Sequence, residues 1–276
     1  MKLRSTHDPL EFKAAVSPFL EADPVLHSVL LTNVEDRINA ITTDPEPPVF
    51  LSLHTDGGQV AGAILCTAQR GIYLGGLPEE FVPAIVDACV ELAPNPRIVD
   101  GTAYAALLLA DEIGVRLGGE FRSTRRLRLH RLERFVDQKA PGAPRQAVPA
   151  DLDVAAQMLA EFAQEADHSS PPDDQDWARA RIDRGRIWLW ENESQIVSLV
   201  AHQATVFGAT RVGPVYTPPE HRGHGYASAL TADVTRRLLA TGSTPCLFTD
   251  LANPTSNKIY AAIGYHPVVD LHRFER

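Results

Sequence analysis

The stretch RVGPVYTPPEHRGHGYASAL, Arg211 to Leu230, decides how this chain folds. Val212, Val215 and Tyr216 favour an extended strand, and Pro218-Pro219 end it. Gly223 and Gly225 then allow tight backbone without a Cβ clash. From Tyr226 onward Ala227, Leu230, Val234 and Leu238 recur mostly at four-residue spacing, which predicts a helix with one apolar face. A glycine loop that opens a helix points several main-chain N–H groups at one spot, where the helix dipole is also positive. Such an arrangement holds phosphate.

Two phosphate-binding patterns fail. No Lys-Ser/Thr follows the glycines, so the nucleoside triphosphate loop is absent. The glycine spacing also misses the dinucleotide fingerprint G-x-G-x-x-G. What fits is R-x-x-G-x-A at Arg222, Gly225 and Ala227, directly after a hydrophobic strand. This resembles the pyrophosphate loop of the GNAT superfamily of acetyl-CoA-dependent N-acetyltransferases, whose pattern is Gln/Arg-x-x-Gly-x-Gly/Ala. A second segment, LFTDLANPTSNKIYAAIGYHPV from Leu247 to Val268, reads as strand, loop, helix, tight turn and strand. It is similar to the family's later motif, with Asn253, Ser256, Tyr260 and a Gly264-Tyr265 turn. The two segments stand in the family's order, separated by one amphipathic helix.

The whole chain sets outer bounds. A length of 276 residues points to two domains of about 100–150 residues each. With 44% hydrophobic and 22% charged residues, the composition is ordinary globular. No apolar run approaches the roughly 20 residues of a membrane helix, and the start MKLRSTHDPLEF lacks the apolar core of a secretory signal. Cys66, Cys89 and Cys246 are dispersed among apolar neighbours without metal-ligand spacing, so we expect buried thiols, no metal and a cytoplasmic protein. Net charge is −9, split as −4 over residues 1–145 and −5 over residues 146–276, which argues against nucleic acid as a partner. It mildly suits a cationic or amine acceptor.

Residues 8–22 and 26–42 read as helices, 48–54 and 59–68 as strands joined by the Asp56-Gly57-Gly58 turn. Then come strand 71–76, helix 79–93, strand 97–100, helix 102–113, and a turn at Gly114 into a strand ending near Leu132. The second half repeats this order: helices 151–166 and 174–184, strands 186–192 and 195–205, then the opening stretch. Residue matches accompany it. Gln59-Val60 answers Gln195-Ile196, Pro78-Glu79 answers Pro219-Glu220, and Ile113-Gly114 answers Ile263-Gly264. The offsets between partners only grow along the chain, as a diverged duplication gives.

The fold expected is therefore α/β (α+β): two tandem GNAT-like domains, each a mixed, mainly antiparallel twisted sheet flanked by helices. The expected boundaries are a degenerate first copy over 1–136, a linker at 137–146 rich in proline and glycine, and a catalytic copy over 147–276. After Pro78 the first copy reads EEFVPAIVDACVEL, with no arginine and no glycine pair, so it lacks the phosphate cradle. Its expected role is to support the second copy or to wall its acceptor cleft.

The resemblance implies where an acetyl-CoA cosubstrate lies. Arg222, Gly223, His224, Gly225, Tyr226, Ala227 and Ser228 would face the pyrophosphate, and main chain at Val215, Tyr216 and Thr217 would pair with the pantetheine amides. An N–H there suits an oxyanion. Asn253 and Ser256 would stand against the cofactor, although Asn253 also reads as a helix N-cap before Pro254. Tyr260 matches the family's tyrosine that protonates the departing thiolate; the bland alternative is a ring packed on the sheet. The base is not legible among Glu191, His202, Glu220 and Asp250, and His202 in its apolar strand reads first as a core histidine.

Two charged stretches read as solvated structure. Asp173, Asp174 and Asp176 in ADHSSPPDDQD (166–176) suit a helix N-terminus, or else a surface that draws a cationic amine. In RSTRRLRLHRLER (122–134), Leu127 and Leu129 alternate with Arg126, Arg128 and His130, the pattern of a strand with one wet face. The reaction expected is N-acetylation of a small-molecule or peptide amine by direct attack in a ternary complex. A CoA-sensing scaffold with little turnover, or an enzyme using a longer acyl-CoA, stands as the alternative. The protein is expected to be a monomer (a pseudo-dimer of its two copies) or a homodimer, with no membrane partner.

Overall fold

A computed structural model describes the chain apart from residues 43, 94–95 and 167–173, with the backbone alone of residue 174. The described residues form two compact units. One comprises Met1–Leu129, Phe248–Asn253 and Pro267–Arg276; the other comprises His130–Leu247 and Pro254–His266.

The first unit begins with β1 (Lys2–Thr6), α1 (Pro9–Ala22) and α2 (Ser28–Ile38), then β2 (Val49–His54), β3 (Val60–Thr67) and β4 (Gly71–Tyr73). α3 (Val86–Leu92), β5 (Ile98–Thr102), α4 (Ala103–Leu117) and β6 (Arg122–Leu132) follow, the last crossing into the other unit at its end. Asp8 caps α1 by accepting the Leu10 N–H at 2.8 Å. β1–β2, β2–β3 and β3–β4 pair antiparallel, and β4–β5 pair parallel. Leu51, Ile64, Ile72 and Val99 meet Leu109 and Ile113 of α4 in one core.

The second unit repeats the plan. Its elements are β7 (Ala143–Gln146), α5 (Leu152–Glu165), α6 (Asp174–Ile182), β8 (Ile187–Asn192), β9 (Gln195–His202) and β10 (Ala209–Tyr216). α7 (Tyr226–Ala240), β11 (Thr244–Asp250), α8 (Pro254–Ile263) and β12 (Tyr265–Glu275) complete the chain. Three antiparallel steps, β7 to β10, again precede one parallel step, β10 to β11. Each copy also places two helices after its first strand. The tandem, mainly antiparallel α/β architecture is as the sequence reading expects.

Several local expectations need correction. Gly114 does not begin a turn; it lies inside α4, where an added Cβ would stand 2.8 Å from the Gly119 carbonyl oxygen. Close approach, not turn geometry, explains that glycine, and the chain turns at Gly118-Gly119 with φ of 70° and 125°. The helix expected over 79–93 is a 3₁₀ segment Glu79–Ala84 followed by α3, because Pro83 withholds an N–H. His130, expected on a wet face, is buried, and Arg128 is tied to Asp270 by two hydrogen bonds of 2.6 and 2.9 Å. Residues 137–146 are not a free linker: β7 pairs with β8, and the Trp190 indole donates to the Pro141 carbonyl at 2.7 Å. The acidic stretch 166–176 lies largely outside the described residues.

The last strand changes the bookkeeping of the two copies. Residues 267–276 group with the first unit, where Leu271–Glu275 pair antiparallel with Ile98–Thr102. Arg273 grips Asp100 through Nε and Nη2 at 2.9 and 2.7 Å, and Phe274 joins the first core. Two contiguous domains, 1–136 and 147–276, therefore do not describe the units. The three cysteines are buried and form no disulfide. No described helix is long and apolar enough to cross a membrane.

Candidate functional site

The two motifs read from the sequence meet in the second unit's core. Val215 from β10, Tyr226, Ala229 and Leu230 from α7, and Tyr260 from α8 share one apolar cluster. β10 reaches this cluster through a bulge. Val212 pairs with His202 and Val215 with Val200, so Gly213-Pro214 carries one residue more than β9 opposite it. Gly213 takes φ 135°, which a side chain would resist. A Gly-Pro pair inside a strand pattern is a bulge signal that the sequence reading passed over.

Past Tyr216 the chain makes a 3₁₀ turn at Pro219–His221 and then the glycine loop. Gly223 and Gly225 take φ of 81° and 82°, and Gly225 serves as the N-cap of α7. The first hydrogen bond of α7 runs from the Ala229 N–H to the Gly225 carbonyl at 2.9 Å. Among the described residues, the N–H groups from Gly223 to Ser228 have no main-chain or side-chain acceptor. They crowd the positive end of a fifteen-residue helix. The Tyr226 side chain is buried in the core, and the ring of His224 from the loop stacks on it with centroids 5.4 Å apart.

Arg222 departs from the role the resemblance implies. Its Nε donates to the Thr217 carbonyl at 2.9 Å, and its Nη2 meets both Glu165 carboxylate oxygens at 2.7 Å. The guanidinium also lies 5.8 Å from the Tyr216 ring centre. Its charge is thus answered by α5 and not held out to a phosphate. Glu165 further accepts from the Tyr216 hydroxyl at 3.3 Å. Burial first, then the nearby Glu165 and Glu161, push the Tyr216 phenol above its ordinary value. Nothing in the sequence pairs Glu165 with a loop 57 residues away. Ser198, equally unforeseen, donates to the Tyr216 carbonyl at 3.0 Å and bonds the Thr217 hydroxyl at 2.9 Å.

Tyr260 is buried, with its ring edge-on to Tyr265 at 6.3 Å. Its hydroxyl has no hydrogen-bond partner among the described residues. Burial alone drives this phenol upward, so it stays protonated through the neutral range. Ser256 is half-buried on α8. Asn253 is exposed just before α8, donates its N–H to the Asp250 carbonyl at 3.0 Å, and groups with the first unit.

The base candidates are mostly engaged. Glu191 accepts from Arg145 at 2.8 Å, and Asp250 holds the Ala252 N–H at 2.7 Å. His202 bonds the Gln203 carbonyl through Nδ1 at 3.0 Å, and burial lowers its pKa. Glu220 is exposed. No cluster of His, Cys, Asp and Glu among the described residues could hold a metal.

Comparison with known proteins supplies a frame for this geometry. Residues 192–273 match the family model FR47-like protein. Comparison with curated proteins finds no match. Among solved structures, a GCN5-related N-acetyltransferase from Sphaerobacter thermophilus superposes with a TM-score of 0.62 at 16% identity, covering 100% of this chain and 95% of that one. A tandem GNAT protein from the clavulanic acid biosynthesis pathway gives 0.62 at 12% identity, with 100% and 98% covered. A GNAT-family acetyltransferase from Colwellia psychrerythraea gives 0.60 at 12% identity, with 100% and 99% covered. At these identities the likeness is one of fold, and it extends over the full chain.

Proposed function

We propose that the second unit of this chain, whose fold is that of tandem GNAT proteins, transfers an acetyl group from acetyl-CoA to a primary amine. The observation that carries the reading is the run of unaccepted N–H groups from Gly223 to Ser228, set at a helix N-terminus behind a bulged strand. These donors lie in an exposed loop and converge on one spot, and a pyrophosphate accepts from several of them at once. Acetyl-CoA brings an activated thioester to this place.

The residues then divide the work. The loop binds through its backbone, and Arg222 fixes the loop to α5 through Glu165 rather than supplying charge directly. Main chain at Val215 to Thr217 lies next to the bulge, where an N–H is suited to an oxyanion. Tyr260 holds the proton for the departing thiolate. A phenol pKa of about 10 and a thiol pKa of about 8.5 differ little before burial. Desolvation raises both anions together, so the gap between them, and not either value alone, governs the transfer. Direct attack by the amine needs no acyl-enzyme, and buried Cys246 has no role in it.

The test is turnover. Purified protein with acetyl-CoA and a library of primary amines, scored by thiol release, should yield at least one acceptor that Tyr260→Phe turns over far more slowly. Tight acetyl-CoA binding without thiol release from any amine would favour a CoA-sensing protein.

A further inference from the structure

We propose that the first unit carries a binding site of its own, for a small organic cation with an apolar body. An open cavity of about 1000 Å³ lies wholly within that unit. One wall comes from β12 with Arg128 of β6; the others come from the segment that leaves β4 and from the end of β5 with the first turns of α4. These are the carboxyl ends of two neighbouring parallel strands, where α/β sheets bind ligands. The second unit has its glycine loop at the corresponding step.

The chemistry of the two places is opposite. Where the second unit offers free N–H groups, the first presents Glu79 and Glu80 at the start of a 3₁₀ segment containing Pro83. Both carboxylates are exposed, and neither pairs with a cation among the described residues. The remaining opposite charges on the wall, Arg128 and Asp270, cancel through their paired hydrogen bonds. Burial and Arg126 hold the His272 imidazole below its ordinary value, so at neutral pH it adds no positive charge. The cavity is therefore net negative and repels a pyrophosphate.

Its apolar surface selects the rest of the ligand. Leu77, Pro78, Ala103 and Leu107 line it, and Val268 stands 40% exposed on its rim. Tyr104 is 72% exposed there, an aromatic face left open in the first turn of α4. An open ring beside two unpaired carboxylates suits an ammonium group attached to an apolar body. A purely ionic ligand would leave these walls wet, and a neutral one would leave the carboxylates without a partner. This inference does not depend on acetyl transfer by the second unit.

Calorimetric titration of the full-length protein at low salt with 4-phenylbutylamine, 4-phenylbutanol and 4-phenylbutyrate tests it. The amine should bind about three- to tenfold more tightly than the alcohol, the range that one or two exposed charge pairs supply, and the carboxylate most weakly. The double variant Glu79→Gln with Glu80→Gln should reduce the amine to the alcohol's affinity, while leaving acetyl-CoA binding unchanged. Hydrogen exchange on the unmodified protein should show the amine protecting residues 76–80 and 103–107. An amine advantage that survives the double variant overturns the proposal, as does equal affinity for the three probes or protection confined to other segments.

Discussion

Replacing Tyr260 by phenylalanine separates a proton donor from a packing residue. The ring's contacts with Tyr265 and the α7 core are apolar or edge-on, and phenylalanine keeps them. The hydroxyl has no protein partner, so its removal breaks no hydrogen bond among the described residues. A buried polar group without a partner costs about 1–3 kcal/mol. Stability in Tyr260→Phe should thus stay level or rise by up to about 1 kcal/mol, because some of that cost is relieved by solvent at the hydroxyl. Activity should move the other way. A positioned general acid contributes about 10²–10⁴-fold, so kcat should fall at least about 100-fold while the affinity for acetyl-CoA stays the same. Denaturant melts, acetyl-CoA titration and steady-state thiol release give the three readouts. A variant that is destabilised by several kcal/mol and keeps its kcat would mean that Tyr260 is structural, and the assignment would be wrong.

Four further outcomes follow from the geometry. His27 is 4% exposed, and burial, opposed by Asp23, lowers its pKa from 6.5 to about 4. Between those values the unfolded chain takes up a proton that the folded chain refuses, so stability should fall as pH drops from 6.5 to 4 by about 3 kcal/mol, and His27→Phe should abolish that part of the slope. Ending the chain at His266 removes one of the two partners of β5, the buried Phe274 and the Arg273–Asp100 pair; the first unit should lose more than about 3 kcal/mol and recover on adding a peptide of residues 267–276, whereas an unchanged melt would contradict the assignment of β12. Arg222→Ala should weaken acetyl-CoA binding less than about tenfold and change stability by less than about 1 kcal/mol, since the half-exposed Glu165 already answers that charge. Glu165→Gln loosens the tie that Arg222 makes from the loop to α5, so acetyl-CoA binding should weaken by less than about tenfold by calorimetry; tighter binding would show that Arg222, once released, turns to the phosphate.

Much of this was legible from periodicity and punctuation. Apart from β1 and β7, which local patterns do not mark, the helix and strand order of both copies and the glycine loop follow from patterns that tertiary packing then respects, while Tyr260 stands out only through the family resemblance. What the sequence hid was long-range. Glu165 meets Arg222 only because α5 packs beside β10, and no spacing rule reaches across 57 residues. Gly114 was misread because its reason is a carbonyl 2.8 Å away and not the dihedral freedom that glycine usually signals. Residues 267–276 carry ordinary strand alternation, which says nothing about which sheet they join. His130 was placed on a wet face by strict alternation, yet the burial pattern of β6 loses its period of two at Leu129-His130.

The most direct test is calorimetric titration of acetyl-CoA into the wild-type protein and into Gly225→Val. An added Cβ at Gly225 has ordinary room, with its nearest neighbours at 3.8 Å, so a clash is not the issue. The cost lies in φ +82°, which a β-branched residue resists by about 1–3 kcal/mol, enough to reset the loop and turn its N–H groups away. The account predicts one site per chain in the wild type, weakened at least about tenfold in Gly225→Val, with both proteins equally folded by circular dichroism. Equal binding in the two proteins, or none in the wild type, would contradict the claim that this loop holds the cofactor.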